Sequence, residues 1–86
     1  MEPTLQKLHV DASLDVRGAE LPDGYLKAKA QLQTMAEQQI LELYIDEGEA
    51  LSRVPFALRA EGHEILVSEP ANQGVRLLVR KRAPLE

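Results

Sequence analysis

"HVDASLDVRGAELPDGYLKAKAQLQTM", His9 to Met35, changes its period halfway along, and that change decides the fold. In the first eight residues Val10, Ala12, Leu14 and Val16 alternate with His9, Asp11, Ser13 and Asp15. This period of two belongs to a half-buried strand. Gly18 then breaks the alternation, and Pro22 suits a first helical turn, where its missing N–H costs nothing. Beyond it Tyr25, Ala28, Leu32 and Met35 recur at intervals of three, four and three, which places them on one helix face. A strand leading into an amphipathic helix is the first half of a βαβ unit, so a second strand is required.

That strand is "ILELYID", with Leu41, Leu43 and Ile45 on one face. A second helical stripe of Leu51, Val54 and Leu58 follows, supported by Glu49 and Arg53 four residues apart. Gly62 ends it in a left-handed conformation, and Pro55 predicts a kink or a helix start close by. "HEILVSE" pairs Ile65 with Val67 on the core face, and "GVRLLVRK" does the same with Val75, Leu77 and Val79. "EPANQG", Glu69 to Gly74, reads as the loop of a hairpin joining these last two strands. The order βαβαββ predicts an α/β (α+β) two-layer sandwich. Each helix, linking neighbouring parallel strands by a right-handed crossover, packs on the same face of a mixed four-stranded sheet. Residues 1–86 form one domain with a core of about 9–82 and flexible ends. The other sheet face carries Glu42, Tyr44, Glu64, Leu66, Arg76, Leu78 and Arg80, a mixture suited to water.

Composition removes several functions. A net charge of −4 with 3% aromatic residues leaves neither phosphate neutralisation nor base stacking, so no nucleic-acid partner is expected. The local exception, Arg76, Arg80, Lys81 and Arg82, reads as a solvated strand end. No apolar run approaches the ~20 residues of a membrane helix, and "MEPTLQKLHV" has no signal-peptide core, which predicts a cytoplasmic protein without membrane contact. There is no cysteine. Disulfides, thiolate-bound metals and thiol catalysis are thereby excluded.

"LDVRGAELPDGYLKAK" resembles the opening motif of the TusA/SirA sulfur-carrier family, including its YedF-like branch. The similarity continues through "DEGE", "VP" in the second helix, "EGHE" and "LLVRK", from about Leu14 to Lys81. The resemblance implies the same βαβαββ sandwich. It also implies an Asp-x-Arg-Gly motif, two further residues, and then Cys-Pro-x-Pro leading into the first helix. Asp15, Arg17, Gly18 and Pro22 match that pattern, Gly24 replaces the second proline, and Leu21 stands in the place of the cysteine. In the family that cysteine holds a persulfide and passes sulfur to a partner protein. A helix N-terminus, with about half a positive charge, lowers a thiol's pKa there. Leucine holds no sulfur, so sulfurtransferase activity is not expected.

The expected function is that of a non-catalytic TusA/SirA-like protein, a monomer that binds or regulates a protein partner in sulfur trafficking. The helix-entrance surface would carry it: Arg17, Gly18, Leu21, Pro22, Asp23, Gly24 and Lys27. The alternative is a small-anion or small-ligand site at the same helix N-terminus, using the first amides and the Arg17 guanidinium. Against it, Arg17 is placed to pack over the loop or to pair with Asp15 or Glu20. No cofactor or metal is expected. His63 and Glu64 are adjacent on a strand and point to opposite faces, and His9 has no zinc spacing. "DEGE", Asp46 to Glu49, suits a helix dipole rather than a calcium loop, and Asp23 has no neighbour to make it an acid or base.

Overall fold

A computed structural model describes residues 9–82. The termini expected to be flexible lie outside the described residues. The elements are β1 (Ala12–Asp15), α1 (Leu21–Gln33), β2 (Ile40–Ile45), α2 (Glu49–Ala60), β3 (Glu64–Ala71) and β4 (Gly74–Arg80). The four strands form one sheet in the order β1-β2-β4-β3, with β1 parallel to β2 and the other two pairings antiparallel. Two helices cover one face of this mixed sheet, as the periodicities require.

One expectation changes. β2 and β3, which α2 connects, are not neighbours, because β4 lies between them. The reason is chemical: β4 buries Val75, Leu77, Leu78 and Val79 and therefore occupies a central position. β3, with Glu64, Glu69 and Pro70, suits an edge, where a missing N–H and charged side chains discourage further pairing.

The core lies between the layers. α1 contributes Ala28 and Leu32, with Met35 just beyond its end, and α2 contributes Val54 and Leu58. They meet Leu41, Leu43 and Ile45 of β2 and Val75, Leu77 and Val79 of β4. Leu51, expected in this stripe, is 37% exposed, and Ala50 packs against the core in its place. Ala50, Val54 and Leu58 are four residues apart, so they hold one face more closely than a stripe beginning at Leu51. Pro55 neither starts nor breaks α2, since the helix runs unbroken through it. Leu51, whose carbonyl loses its helical partner to Pro55, lies on the exposed side, where water can replace the bond. Gly62 follows the helix with φ +99°, as expected of a stop.

A bulge in β3 corrects a second expectation. Ile65 pairs with Val79, but the next pairing is Val67 with Leu78. Two residues, Leu66 and Val67, thus stand opposite one, and the alternation inverts. Val67 leaves the core face for the outer face, and Glu69 follows it to pair with Arg76. Without the bulge the Glu69 carboxylate would point beneath the helices. The hairpin is also tighter than expected: Glu69 to Ala71 are strand, and only Asn72 and Gln73 turn, with Gln73 at φ +58°. On the outer face Leu78 is only 4% exposed, so this surface is less wet than its composition suggests.

Candidate functional site

The entrance to α1 is built from the end of β1. After Val16 the chain turns, with the Ala19 N–H donating to the Val16 carbonyl over 3.1 Å. Gly18 takes φ +86°, and its N–H donates to Asp46 Oδ2 over 2.9 Å, tying this turn to the end of β2. Glu20 is the N-cap residue in extended conformation, and its side chain makes no capping bond. Its carbonyl accepts from the Gly24 N–H over 2.9 Å. Leu21 is therefore the first helical residue and Pro22 the second. Leu21 is half-buried, packed against the core, so the hydrocarbon closes the corner between α1 and α2.

Gly24 faces inward. A Cβ there would lie 3.4 Å from Val16 Cγ2, so α1 runs close to the end of β1 at this point. Pro22, Asp23 and Lys27 are exposed. With Leu21, Tyr25 and the α2 residues Arg53, Val54 and Phe56, Pro22 lines an open, largely apolar groove of about 660 Å³. Phe56 is 72% exposed beside it, and Leu26 on α1 is 55% exposed. Sequence reading passed over Phe56. Its signal was an aromatic residue lying off the Val54–Leu58 stripe in a chain with only two other aromatics.

Arg17 does not join this surface. Its Nε and Nη2 donate to the two carboxylate oxygens of Asp15 over 2.9 and 2.6 Å, and its Nη1 donates to the Asn72 carbonyl. The guanidinium lies 5.2 Å from the centre of the Tyr44 ring. The side-chain bonds from Arg17, followed by its backbone N–H, hold the Asp15 carboxyl down at about 2. Arg17 thus links β1 to the β3–β4 turn. The anion site pictured at the helix entrance would have to hold its ligand with the first-turn amides of Leu21 and Asp23 alone.

The remaining candidates are also engaged. His9 pairs with Asp11 at 3.2 Å, and His63 is half-buried, its Nδ1 accepting from the Arg82 N–H. Arg76 bonds Glu42 at 2.6 Å and Glu69 at 2.8 Å, while Arg80 and Arg82 share Glu64 at 3.2 Å each. The three arginines of the basic cluster at the end of β4 are thereby balanced by carboxylates, while Lys81 Nζ donates to the Leu32 carbonyl. No helix among the described residues is long and apolar enough to cross a membrane.

Comparison with known proteins agrees with this geometry. The profile of the family described as "Sulfurtransferase TusA" matches residues 12–81. A protein of Archaeoglobus fulgidus named "Putative sulfur carrier protein" is 30% identical over 78 residues, covering 90% of this chain and 89% of its own. A protein of the same name from Thermotoga maritima is 37% identical over 65 residues, covering 76% of this chain and 82% of its own.

Proposed function

This chain belongs to the TusA family, and from that premise we propose that it works by binding a protein partner and not by carrying sulfur itself. The observation that supports the reading is the first residue of α1. Leu21 stands where the resemblance to the family places a cysteine, and none of the 86 residues is a cysteine that could act in its place. A persulfide requires a thiol, which leucine cannot supply. What the chain retains is the shape around that point: the Gly18 turn, the Pro22 helix start, and the groove between α1 and α2. Exposed Phe56 in that groove, with Leu26 and Lys27 on the adjoining surface of α1, would meet the partner, while Arg17, Gly18 and Gly24 hold the surface in place.

The test has two arms. The purified chain is incubated with a cysteine desulfurase and labelled cysteine, and its intact mass is measured without reductant. No added sulfur is expected on the wild type, whereas Leu21→Cys gains one reducible sulfur atom. Stable sulfur on the wild type would end the proposal. In the second arm, proteins crosslinked to the chain in extract are compared with those captured by Phe56→Ser and Lys27→Glu. Both substitutions are on exposed side chains and are expected to release the same partner. Unchanged capture by both would remove this surface from the reading.

A further inference from the structure

At the far end of α1 from the proposed partner surface, the fold gathers cations around a small cavity. Lys29 and Gln33 of α1, Glu61 and His63 of the α2–β3 turn, and Lys81 and Arg82 beyond β4 enclose about 100 Å³. That space suits an ion of a few heavy atoms. Two lysine ammoniums face one carboxylate here, in a chain whose net charge is −4. The carboxylate is already occupied: Glu61 Oε2 accepts from the Tyr25 hydroxyl at 3.1 Å and lies 3.6 Å from Lys29 Nζ.

The donors are held in position. Lys81 Nζ donates to the Leu32 carbonyl, which anchors the ammonium and leaves two of its three protons. The Arg82 backbone N–H donates to His63 Nδ1 over 3.2 Å. That bond fixes the neutral imidazole with its proton on Nε2, so Nε2–H remains as the ring's one donor. Burial first, and then the charge of Lys81, hold His63 below the usual histidine value, with Glu61 opposing them. The Arg82 guanidinium is shared with Glu64, outside the cavity lining.

We propose that this cavity binds a small tetrahedral oxyanion of the sulfate or phosphate class, held by Lys81 and Lys29 with hydrogen bonds from Gln33 and His63. The site does not depend on the partner surface, and either can fail without the other.

The experiment follows backbone amide and histidine ring resonances of the full chain at pH 7.5 during titration with sodium sulfate and, separately, sodium phosphate. Sodium chloride at matched ionic strength is the reference. Saturable shifts are expected at Gln33, His63, Lys81 and Arg82, with a rise in the His63 pKa, because a bound anion favours the imidazolium. Removing one charged donor by Lys81→Gln is expected to weaken binding about tenfold. Lys81 also caps Leu32, so Lys29→Gln is the second variant, with the same expected direction. Glu47→Gln, exposed just beyond the end of β2 and outside this cavity, is expected to leave the affinity unchanged. Shifts no larger than those in chloride overturn the proposal. So do shifts confined to residues 18–24, or saturable binding that neither lysine variant weakens.

Discussion

A half-buried leucine at the first position of a helix changes what that position can do. The Leu21 side chain adds apolar contact against the core, whereas the amides and dipole of α1 would act only on a polar or charged group placed there. Leu21→Cys separates these roles. The helix favours the thiolate, while partial burial, the uncapped Glu20 carboxylate and Asp23 in the first turn disfavour it. The helix terminus acts at the shortest range, so the new thiol is expected to titrate about one unit below the ~8.5 of a free cysteine. The check is the pH dependence of its alkylation rate. A value at or above ~8.5 would mean that burial and the acidic neighbours outweigh the helix. Arg17 teaches the same lesson at one residue's distance. Its pairing with Asp15, two residues earlier, was among the partners legible in the sequence, but its bond to Asn72 was not, because only the folded hairpin brings that carbonyl near.

At the scale of elements, two glycines with similar burial carry opposite expectations. Gly74 begins β4, and a Cβ there would overlap the Ile45 carbonyl oxygen and the Arg17 Cδ, 2.8 Å away. The first of these is backbone in the central strand pair and cannot move aside. Gly74→Ala is expected to destabilise the fold by about 2 kcal/mol or more. Gly24 lies inside α1, where glycine costs about 0.5–1 kcal/mol relative to alanine, and its added Cβ meets Val16 at an ordinary contact distance. Gly24→Ala is therefore expected to stabilise by a similar amount. Urea denaturation of both variants checks the two signs, and a destabilised Gly24→Ala would mean that α1 cannot tolerate even that contact. The same scale shows what the sequence disclosed. Alternation located all four strands and assigned the core faces of β1, β2 and β4 correctly, because there the period of two is unbroken. It misplaced Val67 because a bulge has no composition of its own; only the pairing of Glu69 with Arg76 reveals why the inversion is tolerated. It overextended the hairpin loop because a proline and a glycine within six residues have a loop's composition, although an edge strand accepts Pro70. The groove beside α1 was not legible, since it depends on how two helices that are far apart in sequence lie together.

Across the whole molecule, the outer face of the sheet is bound together by carboxylates, and this makes the fold acid-sensitive. Glu42 on β2 accepts from Ser13 on β1 at 2.8 Å, from the Tyr44 hydroxyl at 3.1 Å and from Arg76 on β4 at 2.6 Å; Arg76 extends the chain of bonds to Glu69 on β3. Arg76, then Ser13, hold the Glu42 carboxyl below its usual value, and Asp15 is brought to about 2 by Arg17. Both groups release their protons more readily in the folded chain than in the unfolded one. Their contribution is therefore complete above the ordinary carboxylate range and is lost as pH falls through the folded values. The urea midpoint is expected to be flat near neutrality and to fall from roughly pH 5 down towards pH 2. Asp15 is half-exposed and the Glu42–Arg76 pair is part-buried at the surface, so each individual share is small and weakens with salt, more so for Asp15. The diagnostic is a difference between variants. Asp15→Asn and Glu42→Gln are each expected to lower stability at pH 7 and to lose less than the wild type on going to pH 3, so that the curves converge in acid. Parallel curves across that range would show that the sheet is held by its buried face alone, and that the network on the other face only decorates it.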